Sequence, residues 1–145
     1  MIYMGSKLRM AKYILPIILE SRKPDQWYVE PFVGGGNMID KVDGVRYGFD
    51  INEYVIEALK LIRDDVESLP KNNIETTEDD YKRMKANEQC LNIGLRGYYG
   101  FSLSFGAMFF AGWRRDKKNV YDYVTGAYNS AVKQSPLLQG VHLMT

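Results

Sequence analysis

The chain has 145 residues, of which 46% are hydrophobic and 13% aromatic, and its formal net charge is +1. This length and composition suffice for one domain with a buried core and exclude a disordered chain. No apolar run is long enough to cross a membrane and no secretory leader is visible, so we expect a cytoplasmic protein. Cys90 and His142 are the only residues of their types, which excludes an internal disulfide and a cysteine-based zinc cluster, and we expect no metal.

The charge is distributed unevenly along the chain. Residues 1–81 contain 10 Lys or Arg and 15 Asp or Glu, a net charge of −5, whereas residues 82–145 contain 9 and 3, a net charge of +6. A basic second part is compatible with a polyanionic partner such as DNA. An ordinary solvated face explains the same charges equally well.

The first predicted element is a helix over residues 7 to about 20. Ser6 can cap it, and Pro16 should kink or interrupt it. Apolar residues recur at helical spacing along this stretch: Leu8, Ala11, Leu15, Ile18 and Leu19.

Residues 27–30 predict a first strand, which three glycines at 34–36 and a short helix near 37–41 follow. Residues 46–50 predict a second strand, after which Asn52 can cap an amphipathic helix. Strand, glycine loop, helix, strand and helix in this order indicate an α/β protein that opens a parallel, doubly wound sheet.

The second half of the chain has a different character. Thr77 and Asp80 form a capping-box pattern that predicts a helix to about residue 95. Residues 94–119 are dense in glycine, aromatic and cationic residues, which suggests an insertion rather than another strand and helix unit. A last helix over residues 121–133 and a strand over residues 141–144 complete the predicted elements.

Two kinds of ligand could approach the three glycines. A phosphate loop is excluded because no Lys and Ser or Thr follow Gly36, and a strict GxGxxG is also absent. A neutral or cationic nucleoside remains. Asp50 then lies where such folds hold a ribose, although it could instead cap the helix near Asn52. Glu30, at the end of an apolar strand, needs positive charge nearby, which a sulfonium or backbone amides would supply.

Three stretches in this order, "YMGSK" from Tyr3, "EPFVGGG" from Glu30 and "GFDIN" from Gly48, resemble the DNA adenine methylase family, particularly its phage-type members. The resemblance continues through "GYYGFSLSFGAMFFAGWRR" and "SPLLQGV". It implies a partial Rossmann-like methyltransferase fold with about three parallel strands, a helical, aromatic-rich insertion that contacts DNA, and S-adenosylmethionine as the cofactor. The implied division is a cofactor-binding part at 1–75, the insertion at 76–135 and a return strand at 136–145.

The resemblance also implies where the cofactor is held. Tyr3 and Lys7 would line its methionine side and face the target base, and Asp50 would hold its ribose. Alternatively, Tyr3 is a core aromatic and Lys7 is simply solvated. The full set of implied cofactor-binding residues is Tyr3, Lys7, Glu30, Pro31, Phe32, Gly34, Gly36 and Asp50.

The aromatic and basic middle segment is the part that the resemblance assigns to double-stranded DNA. Cations neutralise phosphates, and exposed rings stack on unpaired bases. The alternative is that most of the rings form the core of a helical subdomain. The expected DNA-contacting residues are Arg96, Tyr98, Arg114, Arg115, Lys117 and Lys118.

One motif of the family is missing from the sequence. The family holds an extruded adenine with Asp-Pro-Pro-Tyr, whereas the five prolines of this chain are never adjacent. We therefore assign no catalytic residue, expect only one wall of the ligand cleft, and expect residues 27–30 to form an unpaired edge strand. A homodimer or a complementing C-terminal half would cover that edge. The alternatives are a non-catalytic module that binds cofactor or DNA, and a generic nucleotide-binding protein.

Overall fold

A three-stranded parallel sheet forms the centre of the fold. The computed structural model describes residues 1–87, 89–118 and 120–145. Its strands are β1 (Tyr28–Glu30), β2 (Arg46–Phe49) and β3 (Val141–Met144), in the spatial order β1-β2-β3. Tyr28 lies opposite Arg46, and Arg46 lies opposite Val141. The predicted α/β class with three parallel strands is confirmed, and β1 is an edge strand within the part of the chain that is described.

Helices surround this sheet. The α-helices are α1 (Ala11–Leu19), α2 (Glu53–Asp64), α3 (Glu78–Ala86), α4 (Ile93–Ser102) and α5 (Tyr123–Gln134). Short 3₁₀ turns occur at Ile39–Lys41, Val66–Ser68, Phe105–Ala107 and Ser135–Leu138. Across the described ranges, no helix has the length and hydropathy needed to span a membrane.

The predicted helix caps of α2 and α3 are present. The Asn52 side chain accepts a hydrogen bond from the Tyr54 backbone N–H, and Thr77 and Asp80 form a full capping box. The single helix expected to about residue 95 is wrong, because it is divided into α3 and α4. Asn87 leaves helical geometry, and the Asn92 side chain caps a new helix by accepting from the Leu95 N–H.

Helix α1 differs from its prediction at its start and on one face. Regular helix begins at Ala11 rather than near residue 7, and Pro16 lies inside the helix. Ala11 and Leu15 are buried, but Leu8 and Ile18 are about half exposed, at 54% and 50%. The helical spacing of these apolar residues therefore does not correspond to one buried face.

Two glycines allow α4 to pack directly on α2. A Cβ at Gly97 would lie 2.2 Å from the Tyr54 carbonyl oxygen, and one at Gly94 would lie 2.7 Å from the Glu57 carbonyl oxygen. The backbones of the two helices therefore meet without intervening side chains. One hydrophobic core joins buried residues of the sheet, of α2 and of α4, among them Val141, Ile56 and Tyr98.

We expect Gly97→Ala to destabilise the protein by about 3 kcal/mol, because the new methyl group must separate two backbones rather than displace a flexible side chain. Urea unfolding followed by circular dichroism measures this loss. Gly126→Ala in α5 is the matched control: its Cβ would lie 3.4 Å from the nearest atom, the Tyr121 hydroxyl oxygen. The control should raise the free energy of unfolding by about 0.5 kcal/mol, since alanine favours helix. Equal effects of the two substitutions would contradict the close packing of α4 on α2.

Candidate functional site

The loop after β1 is tied to the end of β2 by one carboxylate. The backbone N–H of Gly34 donates to Asp50 Oδ2 at 3.1 Å, and the N–H of Asn52 donates to Asp50 Oδ1 at 3.0 Å. Gly34 and Gly36 have φ angles of +48° and +69°, which favour glycine. Asn52 provides the N-cap of α2, so Asp50 connects the glycine loop to the start of that helix.

The residues that approach the glycines most closely belong to the chain itself. A Cβ on Gly34 would lie 2.9 Å from the Tyr3 ring, and one on Gly35 would lie 2.8 Å from the Met1 carbonyl oxygen. The Asn37 amide donates to that same carbonyl at 3.1 Å. The N-terminal segment thus packs directly against Gly34 and Gly35.

Gly36 requires a correction. It is buried, and its Cβ position faces Leu59, Leu138 and the Gln134 amide. Its N–H donates to the Val33 carbonyl at 2.9 Å. The ligand contact predicted for Gly36 is therefore not supported, and its role is to turn the chain.

A polar network lies beneath the loop. The Gln134 amide donates to the Gly35 carbonyl at 2.9 Å and to Asp40 Oδ2 at 3.0 Å. The Met1 amino group donates to the same Gly35 carbonyl and to the Gln134 side-chain oxygen, and burial lowers the pKa of this amino group to about 5. Sequence reasoning missed Gln134, because nothing in a helix about a hundred residues away indicates contact with the glycine loop.

A cleft of about 170 Å³ brings together five of the predicted cofactor residues, Tyr3, Lys7, Glu30, Phe32 and Gly34. Its remaining lining comes from the neighbouring residues Gly5, Ser6, Val33, Gly35, Asn37 and Met38. Asn37, which directly follows the glycines, was missed as a lining residue. Pro31 is exposed, and neither it nor Asp50 lines the cleft. Asp50 is near Tyr3, however: burial raises the pKa of Tyr3, and the negative charge of Asp50 raises it further.

Glu30 is the most unusual group in the cleft. Its Oε2 atom is buried and has no hydrogen-bond partner among the described residues. Burial raises the pKa of Glu30 to about 7, opposed by a hydrogen bond from the Ile39 backbone and assisted by the nearby Asp40. The Ile39 hydrogen bond and the nearby Lys41 compensate the Glu30 charge only in part, and a bound cation would add to this compensation.

The cleft is small for a complete cofactor. Pockets for small molecules are typically about 300–1,000 Å³, well above the volume found here. The glycine loop follows an edge strand, and the Phe32 side chain beside it is 86% exposed. The buried carboxylate of Glu30 fits a ligand with positive charge, while the volume of the cleft is below that of a typical small-molecule pocket.

Two predicted DNA contacts are corrected by the burial of their side chains. The Arg96 guanidinium donates to the backbone carbonyls of Met84, Lys85 and Asn87, and lies 4.9 Å from the centre of the Phe110 ring. Arg96 therefore binds the C-terminal end of α3 rather than an external phosphate. Tyr98 is fully buried in the core and cannot stack on a base.

The other predicted DNA residues lie in an accessible segment before α5. Arg115, Lys117 and Lys118 are exposed, and Arg115 pairs with Glu78 at 3.2 Å. The Arg114 guanidinium lies 4.6 Å from the centre of the Tyr123 ring, which orients it. We call residues 114–118 the basic segment.

The aromatic residues of the middle region are divided between core and surface. Tyr98, Tyr99, Phe101 and Phe110 are buried, whereas Phe105 is 63% exposed. Most of these rings therefore belong to the core, as the alternative interpretation of the sequence predicted. Phe105 is accessible, and composition alone could not distinguish it from the buried rings.

A parallel sheet with a glycine loop after its first strand, bonded to an acid after its second, is typical of the first half of a Rossmann-like α/β fold. The model of the D12 class N6 adenine-specific DNA methyltransferases matches residues 3–132. The chain belongs to this family, as its resemblance to adenine methylases predicted. A comparison with curated proteins finds no significant match. Within the described ranges, no group of three or more His, Cys, Asp or Glu side chains is placed to hold a metal.

The raised pKa of Glu30 predicts a pH-dependent effect of Glu30→Gln. An acid whose pKa rises from 4.5 to about 7 on folding binds its proton more tightly when folded, so its contribution to stability declines as the pH rises through this range. Glu30→Gln should therefore stabilise the protein more at pH 8 than at pH 5, by roughly 1 kcal/mol after allowance for solvent screening.

Urea unfolding at the two pH values measures this difference. Glu53→Gln, at an exposed position, is the control and should change stability equally at both. A pH-independent effect of Glu30→Gln would contradict the burial of this carboxyl group.

Proposed function

We propose that this chain serves in the transfer of a methyl group from S-adenosylmethionine to adenine N6 in double-stranded DNA. The observation that carries this proposal is the buried, unpartnered Glu30 carboxylate oxygen in a cleft beside the glycine loop. A carboxylate in that position favours a ligand with positive charge. S-adenosylmethionine is such a ligand, and methyltransferases of this family depend on it.

The residues that line the cleft, and Asp50 beside it, have separate tasks in this proposal. Glu30 faces the cationic methionine part of the cofactor, and the Tyr3 ring packs along it. Asp50 accepts hydrogen bonds from the ribose hydroxyls with the lone pairs that Gly34 and Asn52 leave free. When bound, the cofactor supplies an activated methyl group.

DNA binding is assigned to the basic segment. Arg114, Arg115, Lys117 and Lys118 carry four positive charges within five residues and are accessible to phosphate groups. The exposed Phe105 ring is available for stacking on a base. The target adenine must leave the duplex before its N6 can react.

We further propose that these residues act with a complementing half rather than alone. The Asp-Pro-Pro-Tyr that holds the extruded base is absent, and the outer edge of β1 is unpaired in the described structure. A strand added beside β1 would enlarge the cleft and bring the second wall. The apolar Val29 and Phe32, 49% and 86% exposed, lie at that edge.

A non-catalytic module is the second candidate function. It is favoured by the small volume of the cleft together with the absent motif. Such a module would retain affinity for the cofactor or for DNA without transferring a methyl group. The methyltransferase and the non-catalytic module differ in one respect: a complementing half should restore methyl transfer only to the methyltransferase.

We expect isothermal titration calorimetry to detect S-adenosylmethionine binding that weakens about tenfold in Asp50→Asn, because the charged acceptor of the ribose hydroxyls is lost. Asp43→Asn, which changes an exposed acid before β2, is the matched control and should leave the affinity unchanged. Tighter binding of ATP than of S-adenosylmethionine would contradict the proposed cofactor and favour a generic nucleotide-binding protein.

Methyl transfer is measured with tritiated cofactor and unmethylated DNA in the same samples. No transfer by the chain alone, and transfer after addition of a family C-terminal half with Asp-Pro-Pro-Tyr, support the enzyme. Cofactor or DNA binding with no transfer in either case supports the module. Transfer by the 145-residue chain alone would contradict the requirement for a second half.

DNA binding by the basic segment predicts a specific salt dependence. Lys117→Gln with Lys118→Gln should weaken binding of a duplex oligonucleotide and lower the slope of log K against log salt concentration by about 2, since two phosphate contacts are lost. Fluorescence anisotropy across a salt series measures both quantities. Lys12→Gln with Lys23→Gln, which changes one exposed cation in α1 and one after its end, is the control and should leave the slope unchanged. An equal reduction by both pairs would contradict a localised DNA surface.

A further inference from the structure

The outward face of α1 is unusually apolar for a surface helix. Tyr13 is 60% exposed, Ile17 is 73% exposed, and Met10 just before the helix is 50% exposed. Scattered surface hydrophobic residues need no explanation, but neighbouring ones on a single face indicate an interaction surface. Only Ala11 and Leu15 of α1 are buried in the core.

These exposed residues form a stripe along one side of the helix. The Ala11 N–H donates to the Lys7 carbonyl at 2.8 Å, so one hydrogen-bonded turn that includes Arg9 directly precedes α1. Residues 13 and 17 are four apart, and residues 9, 13, 16 and 20 follow one another at spacings of four, three and four, which places all five on the same side. The stripe therefore has Arg9 at one end, Tyr13 and Ile17 in the middle, and Glu20 at the other end.

The two charges at the ends of the stripe are both placed unfavourably. Arg9 lies at the N-terminal end of the helix and Glu20 at its C-terminal end, so each opposes the helix dipole. Neither side chain forms an ion pair with any residue that the structure describes. If a second copy of this helix ran in the opposite direction, its Glu20 would lie beside Arg9 and its Arg9 beside Glu20. The dipoles of the two helices would then point in opposite directions, which is favourable.

We propose that this stripe is a dimerisation surface whose occupant is the α1 helix of a second copy of the chain, packed antiparallel about a two-fold axis. The arrangement is self-complementary, because each Arg9 meets the partner's Glu20. Tyr13 and Ile17 of each copy pack in the centre, where the apolar stripe is most exposed. Two charge pairs then flank one apolar centre.

Sedimentation equilibrium over a wide range of protein concentration tests the dimer. We expect a monomer–dimer equilibrium with a dissociation constant of about 10–100 μM, as befits a small interface. Ile17→Lys should raise this constant at least about tenfold by placing a charge in the apolar centre. Ile74→Lys, at an 88% exposed position remote from α1 in sequence, is the matched control and should leave the constant unchanged. The proposal is overturned if the wild-type chain stays monomeric at a protein concentration about ten times the upper limit of the expected dissociation constant.

Charge reversal tests the antiparallel geometry. Arg9→Glu and Glu20→Arg should each raise the dissociation constant about tenfold, and the double variant should return it to within about threefold of wild type. No recovery in the double variant overturns the antiparallel pairing. Loss of the dimer in Val29→Lys but not in Ile17→Lys overturns the α1 surface and assigns association to the edge of β1 instead.

Discussion

The packing of the N-terminal segment on the glycine loop is the constraint on which the site depends. Gly35 accepts hydrogen bonds at its carbonyl from both Met1 and Gln134, and its missing side chain leaves room for the Met1 carbonyl oxygen and the Tyr3 Cβ. Three distant parts of the chain therefore meet at one residue. The same packing holds the Tyr3 ring over Gly34, and so determines which side of the cleft is closed.

Asp50 and Glu30 illustrate two ways in which this fold treats a carboxylate at the end of a strand. Asp50 accepts one hydrogen bond at each carboxylate oxygen, from the backbone N–H groups of Gly34 and Asn52. Glu30 receives much less compensation, and its raised pKa records the cost of burial. The two carboxylates therefore differ in how completely the chain itself hydrogen-bonds them.

The same contrast separates the arginines of the basic half. Arg96 binds backbone carbonyls at the end of α3 and lies beneath Phe110, so its charge contributes to the arrangement of the helices. Arg115 remains at the surface beside Glu78 and stays accessible to a polyanion. Net charge alone therefore overstates the surface available to DNA. The exposed edge of β1 and the exposed face of α1 are apolar, and both are suited to protein contacts rather than to nucleic acid.

Local patterns in the sequence determined the class of the fold, the three strands, the caps at Asn52 and Thr77, and the family. These features depend on short segments whose residue types limit backbone conformation directly. The division of α3 from α4 was less predictable, because Asn92 competes as a cap with a continuous helix. Only the tertiary structure decided which side chains face the cleft, that Gly36 and Arg96 are internal, and that one Glu30 oxygen has no partner among the described residues. Those outcomes depend on contacts between residues far apart in sequence, such as Gln134 with Gly35, and no local pattern encodes them.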